Sequence, residues 1–245
     1  MEVLFSVFLV YYLLYEPIVG YYVFKSFARK LVDDTGVRLL YYKITIAGIW
    51  VPAAAIIALL LTGRLLPGDT GIGWISVNFE VFGRWGTYAI LIIAGLVLAS
   101  VVYQLLMTRF NEAFRKKVAA LEVPHDIDLM LPRSGTEKRY WGLLSLSAGL
   151  TEELIYRGFL IFLLGYLFPG LNIYLCIVIS ALLFGLAHTY QGLSGVIKTG
   201  LFGLLLALVY ICTGSILPGI LLHFLLDYAA RDMRANAGVL TEIQQ

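Results

Sequence analysis

Apolar segments long enough to cross a membrane occupy most of this 245-residue chain. A bilayer core about 30 Å thick requires roughly 20 apolar residues in a helix, and a helix can cross it because each backbone hydrogen bond forms within the segment. Seven segments qualify, the last of them shorter than the others: 2–24, 41–63, 87–107, 141–168, 170–189, 193–213 and 215–230. The sequence therefore predicts an all-α polytopic transmembrane helix bundle of about seven spans.

Composition excludes an ordinary soluble domain. Apolar residues make up 60% of the chain and charged residues 14%, and the mean hydropathy is +0.85, outside the usual range for soluble domains. The first segment has no basic residues before it and no small-residue cleavage site after it, so we interpret it as a retained span. The two cysteines, Cys176 and Cys212, lie inside predicted spans, which argues against a disulfide framework or a zinc site.

The distribution of basic residues predicts the orientation. The first connection contains Lys25, Arg29, Lys30, Arg38 and Lys43, the second contains only Arg64 and Arg84, and residues 109–139 contain seven basic residues. Because basic loops stay in the cytoplasm, the N-terminus is predicted to be outside, in a multi-pass protein of the cell membrane. We divide the chain into N-terminal helices (1–140), a C-terminal helix bundle (141–230) and a cytoplasmic tail (231–245).

The third connection contains two distinct stretches. From Arg109 through NEAFRKKVAALEV, basic and apolar residues alternate at helical spacing. This pattern fits a helix on the inner membrane surface or an extension of the third span equally well. The next stretch, VPHDIDLMLPRSG, has two prolines and several turn formers, so a loop is predicted over residues 123–135.

Ionisable residues inside the predicted spans are concentrated in the C-terminal half. The fourth span contains Glu152, Glu153 and Arg157, His188 ends the fifth, and the seventh contains His223 and Asp227. Each such residue costs at least ~2.5 kcal/mol on insertion scales, which makes a functional role the first hypothesis. The connections between the last four spans are short, so these helices are expected to be neighbours in one bundle.

Helical spacing separates the roles of the two glutamates. Glu153 and Arg157 are four residues apart with the glutamate first, the favourable order for an ion pair. Glu152 points about 100° away, onto the face of Tyr156 and Phe159. His223 and Asp227 are also four apart, so the aspartate could orient the imidazole.

Each of these features also has a purely structural explanation. The Glu–Arg pair alone would more often stabilise helix packing, a lone His188 would usually be an interfacial residue, and His223 with Asp227 could be a buried hydrogen-bonded pair. Their joint occurrence on adjacent helices favours chemistry. A glutamate and a histidine can activate one water, and a second polar pair can stabilise the resulting oxyanion.

The three motifs together resemble those of the CAAX protease and bacteriocin-processing family of intramembrane peptidases, also called the CPBP or ABI family. Its EExxxR motif matches Glu152, Glu153 and Arg157, and its FxxxH motif matches Phe184 and His188. A histidine followed four residues later by Asn or Asp matches His223 and Asp227. The resemblance covers residues 141–230, about ninety of 245.

The resemblance implies an endopeptidase that cleaves a membrane-associated or lipidated peptide or protein. It further implies that Glu152 and His188 activate the water, that His223 and Asp227 line the oxyanion site, and that no metal or other cofactor is needed. Members that act on prenylated proteins typically have Asn at the position of Asp227, so this departure bears on the substrate. With the predicted orientation, the active site lies toward the cytoplasmic half of the membrane.

Three other functions fit parts of the pattern. A zinc protease could use the histidines and a glutamate, although no HExxH sequence or cysteine pair is present. Buried carboxylates and histidines also form the proton relays of transporters. A membrane immunity or scaffold protein could keep the fold without the activity. The chain has no nucleic-acid-binding motif, so its expected partners are membrane lipids and a peptide or protein substrate.

Overall fold

The computed structural model describes residues 1–31 and 36–233, and this part of the chain contains helices and no strand. Nine helices follow one another there: α1 Glu2–Leu31, α2 Val37–Leu61, α3 Gly83–Phe110, α4 Glu112–Ala119, α5 His125–Met130, α6 over residues 135–167, α7 Ile173–Ala187, α8 Gly192–Thr213 and α9 Leu217–Ala230. Two 3₁₀ turns, Pro67–Thr70 and Thr189–Gln191, lie in connections. The all-helical prediction is confirmed over the described residues.

Among the described residues, four helices are long and apolar enough to cross a membrane. They are α1, α2, α3 and a 25-residue stretch, Thr189–Thr213, that includes α8. The apolar helices α7 and α9 are shorter, with 15 and 14 residues. The multi-pass membrane assignment is therefore supported, whereas the number of seven spans and the outside N-terminus stay predictions. The predicted tail lies outside the described residues from position 234 onward.

Two helices contain π-helical turns. In α1 the π turn covers Tyr11–Tyr15. In α6 an α-helix, Gly135–Glu152, continues as a π-helix, Glu153–Leu160, and then as a second α-helix, Ile161–Leu167. A π-helix is wider than an α-helix and turns each residue to a different angle, and such insertions are frequent at functional sites.

The predicted loop over residues 123–135 is wrong in part, because the structure has the short helix α5 there. Side chains of α2 satisfy the carbonyl groups at its C-terminal end. Arg38 Nε donates to the Leu129 carbonyl at 3.0 Å, and the Tyr42 hydroxyl donates to the Met130 carbonyl. A six-residue helix is unstable alone, so these distant contacts explain why local sequence did not reveal it.

The segment after α3 forms a separate helix and not a continuous extension. Asn111 adopts an extended conformation, and its side chain accepts a hydrogen bond from the Phe114 backbone at 3.0 Å. This N-cap ends α3 and begins α4. The cationic residues Arg115, Lys116 and Lys117 are all exposed on α4, as a surface helix requires.

Helix α6 begins six residues before the predicted fourth span because Ser134 and Glu137 form a capping box. The Ser134 hydroxyl accepts from the Glu137 backbone at 3.2 Å, and the Glu137 carboxylate accepts from the Ser134 backbone at 3.0 Å. The two bonds satisfy donors that would otherwise lack partners at the helix start. Glu137 also pairs with Arg38 at 3.2 Å, which ties α6 to α2.

The core is centred on the π-helical part of α6, where all eight residues are buried. Helices α2 and α9 pack along α6, and α7 packs along α8. The connection between α2 and α3 closes one end of the bundle: Ser76 and Asn78 donate backbone hydrogen bonds to Thr213 and Cys212 at 2.9 and 2.8 Å. This arrangement brings the motif-bearing parts of α6, α7 and α9 together.

Candidate active site

Glu153 holds two of the motif residues in place. Its Oε1 accepts a hydrogen bond from Arg157 Nη1 at 2.7 Å and lies 2.9 Å from His223 Nδ1. All three side chains are almost fully buried. The ion pair agrees with the spacing of the sequence, and the contact with His223 joins α6 to α9. Because a carboxylate only accepts hydrogen bonds, Nδ1 of His223 carries the proton in this contact.

Arg157 is restrained on three sides. Besides Glu153, its Nη2 donates to the Gly203 carbonyl at 3.1 Å, and its guanidinium lies 4.2 Å from the centre of the Phe184 ring. A buried guanidinium needs such hydrogen bonds and an aromatic face to offset its lost hydration. Phe184 thereby connects the first two sequence motifs, since its own helix ends at His188.

Two glycines make this packing possible. A Cβ at Gly203 would lie 2.7 Å from the Phe184 ring, and a Cβ at Gly219 would lie 2.7 Å from Glu153 Oε2. Both distances are too short for real side chains, so α8 and α9 approach the buried charges only because these residues are glycine. The sequence analysis did not identify either glycine, because nothing local distinguishes them from the other glycines of the chain.

His223 is oriented by Glu153 and not chiefly by Asp227. Its other ring nitrogen, Nε2, lies 3.6 Å from Asp227 Oδ2 and 3.8 Å from Glu152 Oε2. Both distances exceed hydrogen-bond length. Glu153 therefore fixes the imidazole through Nδ1, and an orienting role for Asp227 on the Nε2 side stays a prediction. Asp227 is the most exposed of these carboxylates, with 36% of its side chain accessible.

His188 presents one nitrogen to the protein backbone. Its Nδ1 lies 2.8 Å from the Phe184 carbonyl. A carbonyl oxygen can only accept, so Nδ1 carries the proton, and in the neutral imidazole Nε2 is then left with a lone pair. The histidine follows directly after α7 and is half-buried. It is therefore able to accept a proton or a hydrogen bond through Nε2.

Glu152 and His188 line the same cavity, which has a volume of about 410 Å³. The Glu152 side chain is 15% exposed, and among the described residues its Oε2 has no hydrogen-bond partner. The tyrosines of the cavity are Tyr11, Tyr15, Tyr41, Tyr156 and Tyr190. Of the two residues predicted to share a face with Glu152, Tyr156 lines the cavity, whereas Phe159 packs in the core against Phe5 and Phe8.

A comparison with protein families finds a match in the C-terminal part of the chain. Residues 138–229 match the family described as type II CAAX prenyl endopeptidase, Rce1-like. The C-terminal helix bundle is therefore similar to the CAAX protease family over these residues. This family implies protease activity in general. No curated protein and no solved structure significantly matches the chain.

The match to the CAAX protease family runs from near the start of α6 to the end of α9 and thus includes all three motifs. The cavity extends beyond it, because α1 and α2 supply much of its wall. One of these wall residues is Glu16, whose Oε2 accepts a hydrogen bond from the Tyr156 hydroxyl at 2.6 Å. The sequence analysis missed Glu16, although a carboxylate inside the first apolar segment was a visible signal.

Within residues 1–31 and 36–233, no group of three or more His, Cys, Asp or Glu side chains is arranged to hold a metal ion. His188 is turned to the Phe184 backbone, and Glu153 is engaged by Arg157 and His223.

Proposed function

We propose that this protein is an integral membrane endopeptidase in which Glu152 and His188 activate a water molecule, in the cytoplasmic half of the membrane. The substrate is a membrane-associated protein or peptide. The observation that carries the proposal is that these two side chains line one cavity within a bundle that matches the CAAX protease family.

Glu152 and His188 offer two acceptors to one water. One O–H of the water donates to His188 Nε2, and the other donates to a Glu152 oxygen, so the lone pair on the water oxygen is free to attack a carbonyl carbon. As the bond forms, Glu152 takes the proton from the water as general base. The buried Oε2, which lacks a partner among the described residues, is available for this role.

The attack turns the scissile carbonyl oxygen into an oxyanion. In this proposal His223 Nε2 carries a proton and donates a hydrogen bond to the oxyanion, while Glu153 fixes the ring through Nδ1. Asp227, 3.6 Å from the same nitrogen, donates a second hydrogen bond in its protonated form. Collapse of the intermediate then breaks the C–N bond, and the proton on Glu152 passes to the leaving amine.

Glu153, Arg157 and Phe184 act in this scheme as positioning residues. They hold His223 and the end of α7 without contacting the reacting atoms. Their contacts have the short distances and complete burial expected of a fixed framework. Donors held in place in this way stabilise the transition state more than flexible donors do, because they need not reorganise during the reaction.

The decisive experiment is cleavage of a membrane peptide by the purified protein in lipid vesicles. We expect cleavage by the wild type and at least ~100-fold slower cleavage by both Glu152→Ala and His188→Ala. Undiminished cleavage by either variant would overturn the assignment. A protein that moves protons across the vesicle membrane and yields no cleaved product would be a transporter instead.

The role of a metal is tested in the same assay. The proposed water activation uses only protein side chains, so prolonged treatment with a chelator should leave the cleavage rate unchanged. The metal content of the purified protein should be well below one ion per chain. Loss of activity on chelation and its recovery on adding zinc would favour a metalloprotease.

A further inference from the structure

Glu16 lies on α1, outside the family match, yet it borders the proposed catalytic cavity. Among the described residues its only hydrogen-bond partner is the Tyr156 hydroxyl, which donates to Oε2 at 2.6 Å. A carboxylate within a membrane helix is costly and usually has a charged or polar partner. The other oxygen of Glu16, Oε1, has no hydrogen-bond partner among the described residues.

The cavity around Glu16 is acidic and aromatic. Its lining contains two carboxylates, those of Glu16 and Glu152, together with five tyrosine side chains and no lysine or arginine. Tyrosine rings attract cations through their faces, most strongly where water is excluded. The cavity therefore offers a positively charged group a carboxylate and aromatic rings, whereas its two carboxylates repel an anionic group.

We propose, on the basis of the peptidase function above, that Glu16 and the surrounding tyrosines bind a positively charged group of the substrate, a lysine or arginine side chain. Tyr156, which holds Glu16, is four residues after Glu152 on α6. Even with the α-helical rise, that separation is at most about 6 Å along the axis, or up to roughly two residues of an extended peptide. The charged side chain is thus placed roughly two residues from the scissile bond.

Helices α1 and α2 both line the cavity, and in this proposal the peptide enters between them. These helices are in contact near their connection, where Phe27 and Tyr41 stack with ring centres 4.3 Å apart. Farther along, Ile44 and Gly48 of α2 and Tyr15 of α1 line the cavity. A volume of about 410 Å³ is within the range of known ligand sites, roughly 300–1,000 Å³.

The test uses the full-length protein in vesicles and a set of N-acetylated apolar peptides. Each peptide has Lys, Arg, Gln or Glu at one test position. The test position is moved along the sequence from one series to the next, and all other residues stay the same. We expect kcat/KM to be at least about tenfold higher with Lys or Arg than with Gln at one position near the cleaved bond, the effect of one well-placed charge pair. A control peptide with a free N-terminus and only neutral side chains shows whether a terminal ammonium group can replace the charged side chain.

Two variants localise the preference. Glu16→Gln should reduce the ratio of Lys to Gln cleavage to about one, and Glu16→Lys should make the Glu peptide the preferred substrate, a gain that misfolding cannot produce. Glu112→Gln, a change at an exposed surface pair, is the matched control and should keep the wild-type ratio. Wild-type cleavage indifferent to charge, or a preference unaffected by both Glu16 variants, overturns the subsite alone. Failure to cleave any peptide overturns the proposed peptidase function as well.

Discussion

At the scale of single residues, the contacts within one helix were predictable and those between helices were not. The spacing of Glu153 and Arg157 indicated an ion pair, and the structure has it at 2.7 Å. The same spacing suggested that Asp227 would orient His223, but Glu153 from another helix does so at 2.9 Å. Sequence spacing reports angles around one helix axis. It contains no information on which helix lies opposite.

Glu153 is held by buried contacts and Glu152 is not, so substitutions of the two adjacent glutamates should have opposite effects on activity and stability. Glu152→Gln should abolish cleavage with little change in thermal stability, because its carboxylate is held by no ion pair shorter than 3.8 Å among the described residues. Glu153→Gln should destabilise the protein by about 3–5 kcal/mol, since it leaves the Arg157 charge buried without its partner. Cleavage assays and thermal unfolding in detergent measure the two effects.

The control for charge removal alone is Glu112→Gln, which alters a pair with both side chains more than 60% exposed, at 67% and 69%. It should leave the thermal stability essentially unchanged, because exposed ion pairs contribute little. Two variants, Glu152→Gln and Glu153→Gln, with equal and intact stability would contradict the division of roles.

Asp227 permits a second prediction, concerning pH. As an oxyanion donor it must hold a proton, so the wild-type rate should fall as pH rises and the carboxyl group ionises. Asp227→Asn donates at any pH and should keep substantial activity with a flatter profile, whereas Asp227→Ala should lower turnover about a hundredfold or more. Rates of the three proteins on one peptide across a pH range decide the matter. Equal damage by Asn and Ala would show that Asp227 acts ionised.

At the scale of elements, apolar length revealed most of the helices, whereas their interruptions depended on tertiary contacts. The π-helix Glu153–Leu160 has no local signal in the sequence. Its Tyr156 carbonyl accepts a hydrogen bond from Ser180 of α7 at 2.7 Å, and its Gly158 lies against the Thr70 backbone. A wider turn shifts later residues around the axis, which explains why Phe159 does not share the cavity with Glu152.

The contact at Gly158 can be tested with a matched pair of variants. A Cβ at Gly158 would overlap the Thr70 carbonyl oxygen, so Gly158→Ala should cost about 1–3 kcal/mol through forced backbone movement. Gly165→Ala, on the same helix, meets no atom within 4 Å. It should leave stability unchanged or raise it by roughly 0.5–1 kcal/mol, because alanine favours helix. Thermal unfolding compares them, and equal melting temperatures would refute the contact.

At the scale of the whole molecule, the catalytic motifs and the walls around them come from different parts of the chain. The family match begins at residue 138 and therefore does not include α1 or α2. Buried Phe5 and Tyr12 of α1 belong to the same core cluster as Tyr156. The sequence analysis predicted the motif helices but assigned no particular residue of 1–140 to the site. Such a role depends on packing between distant helices, which apolar length alone does not specify.

We therefore expect that the chain can be cut between the two parts, and that activity then requires both fragments. Cutting the chain between Glu122 and Val123, in the connection before α5, should leave two co-expressed fragments that associate in the membrane, since helices that are each stable in lipid assemble by packing. Fragment 123–245 alone should be inactive, because it lacks α1 and α2. Co-purification and peptide cleavage measure association and function.

The buried pair of Arg38 and Glu137 provides the control for specific association. It joins the fragments at 3.2 Å with side chains only 8% and 10% exposed. Arg38→Ala should weaken their association, because it removes the buried cation that pairs with Glu137 across the two fragments. Arg64→Ala changes an exposed residue of the same fragment and should have no such effect. Peptide cleavage by fragment 123–245 alone at the rate of the intact chain would show that the family-matched bundle is sufficient, and that α1 and α2 are not part of the working site.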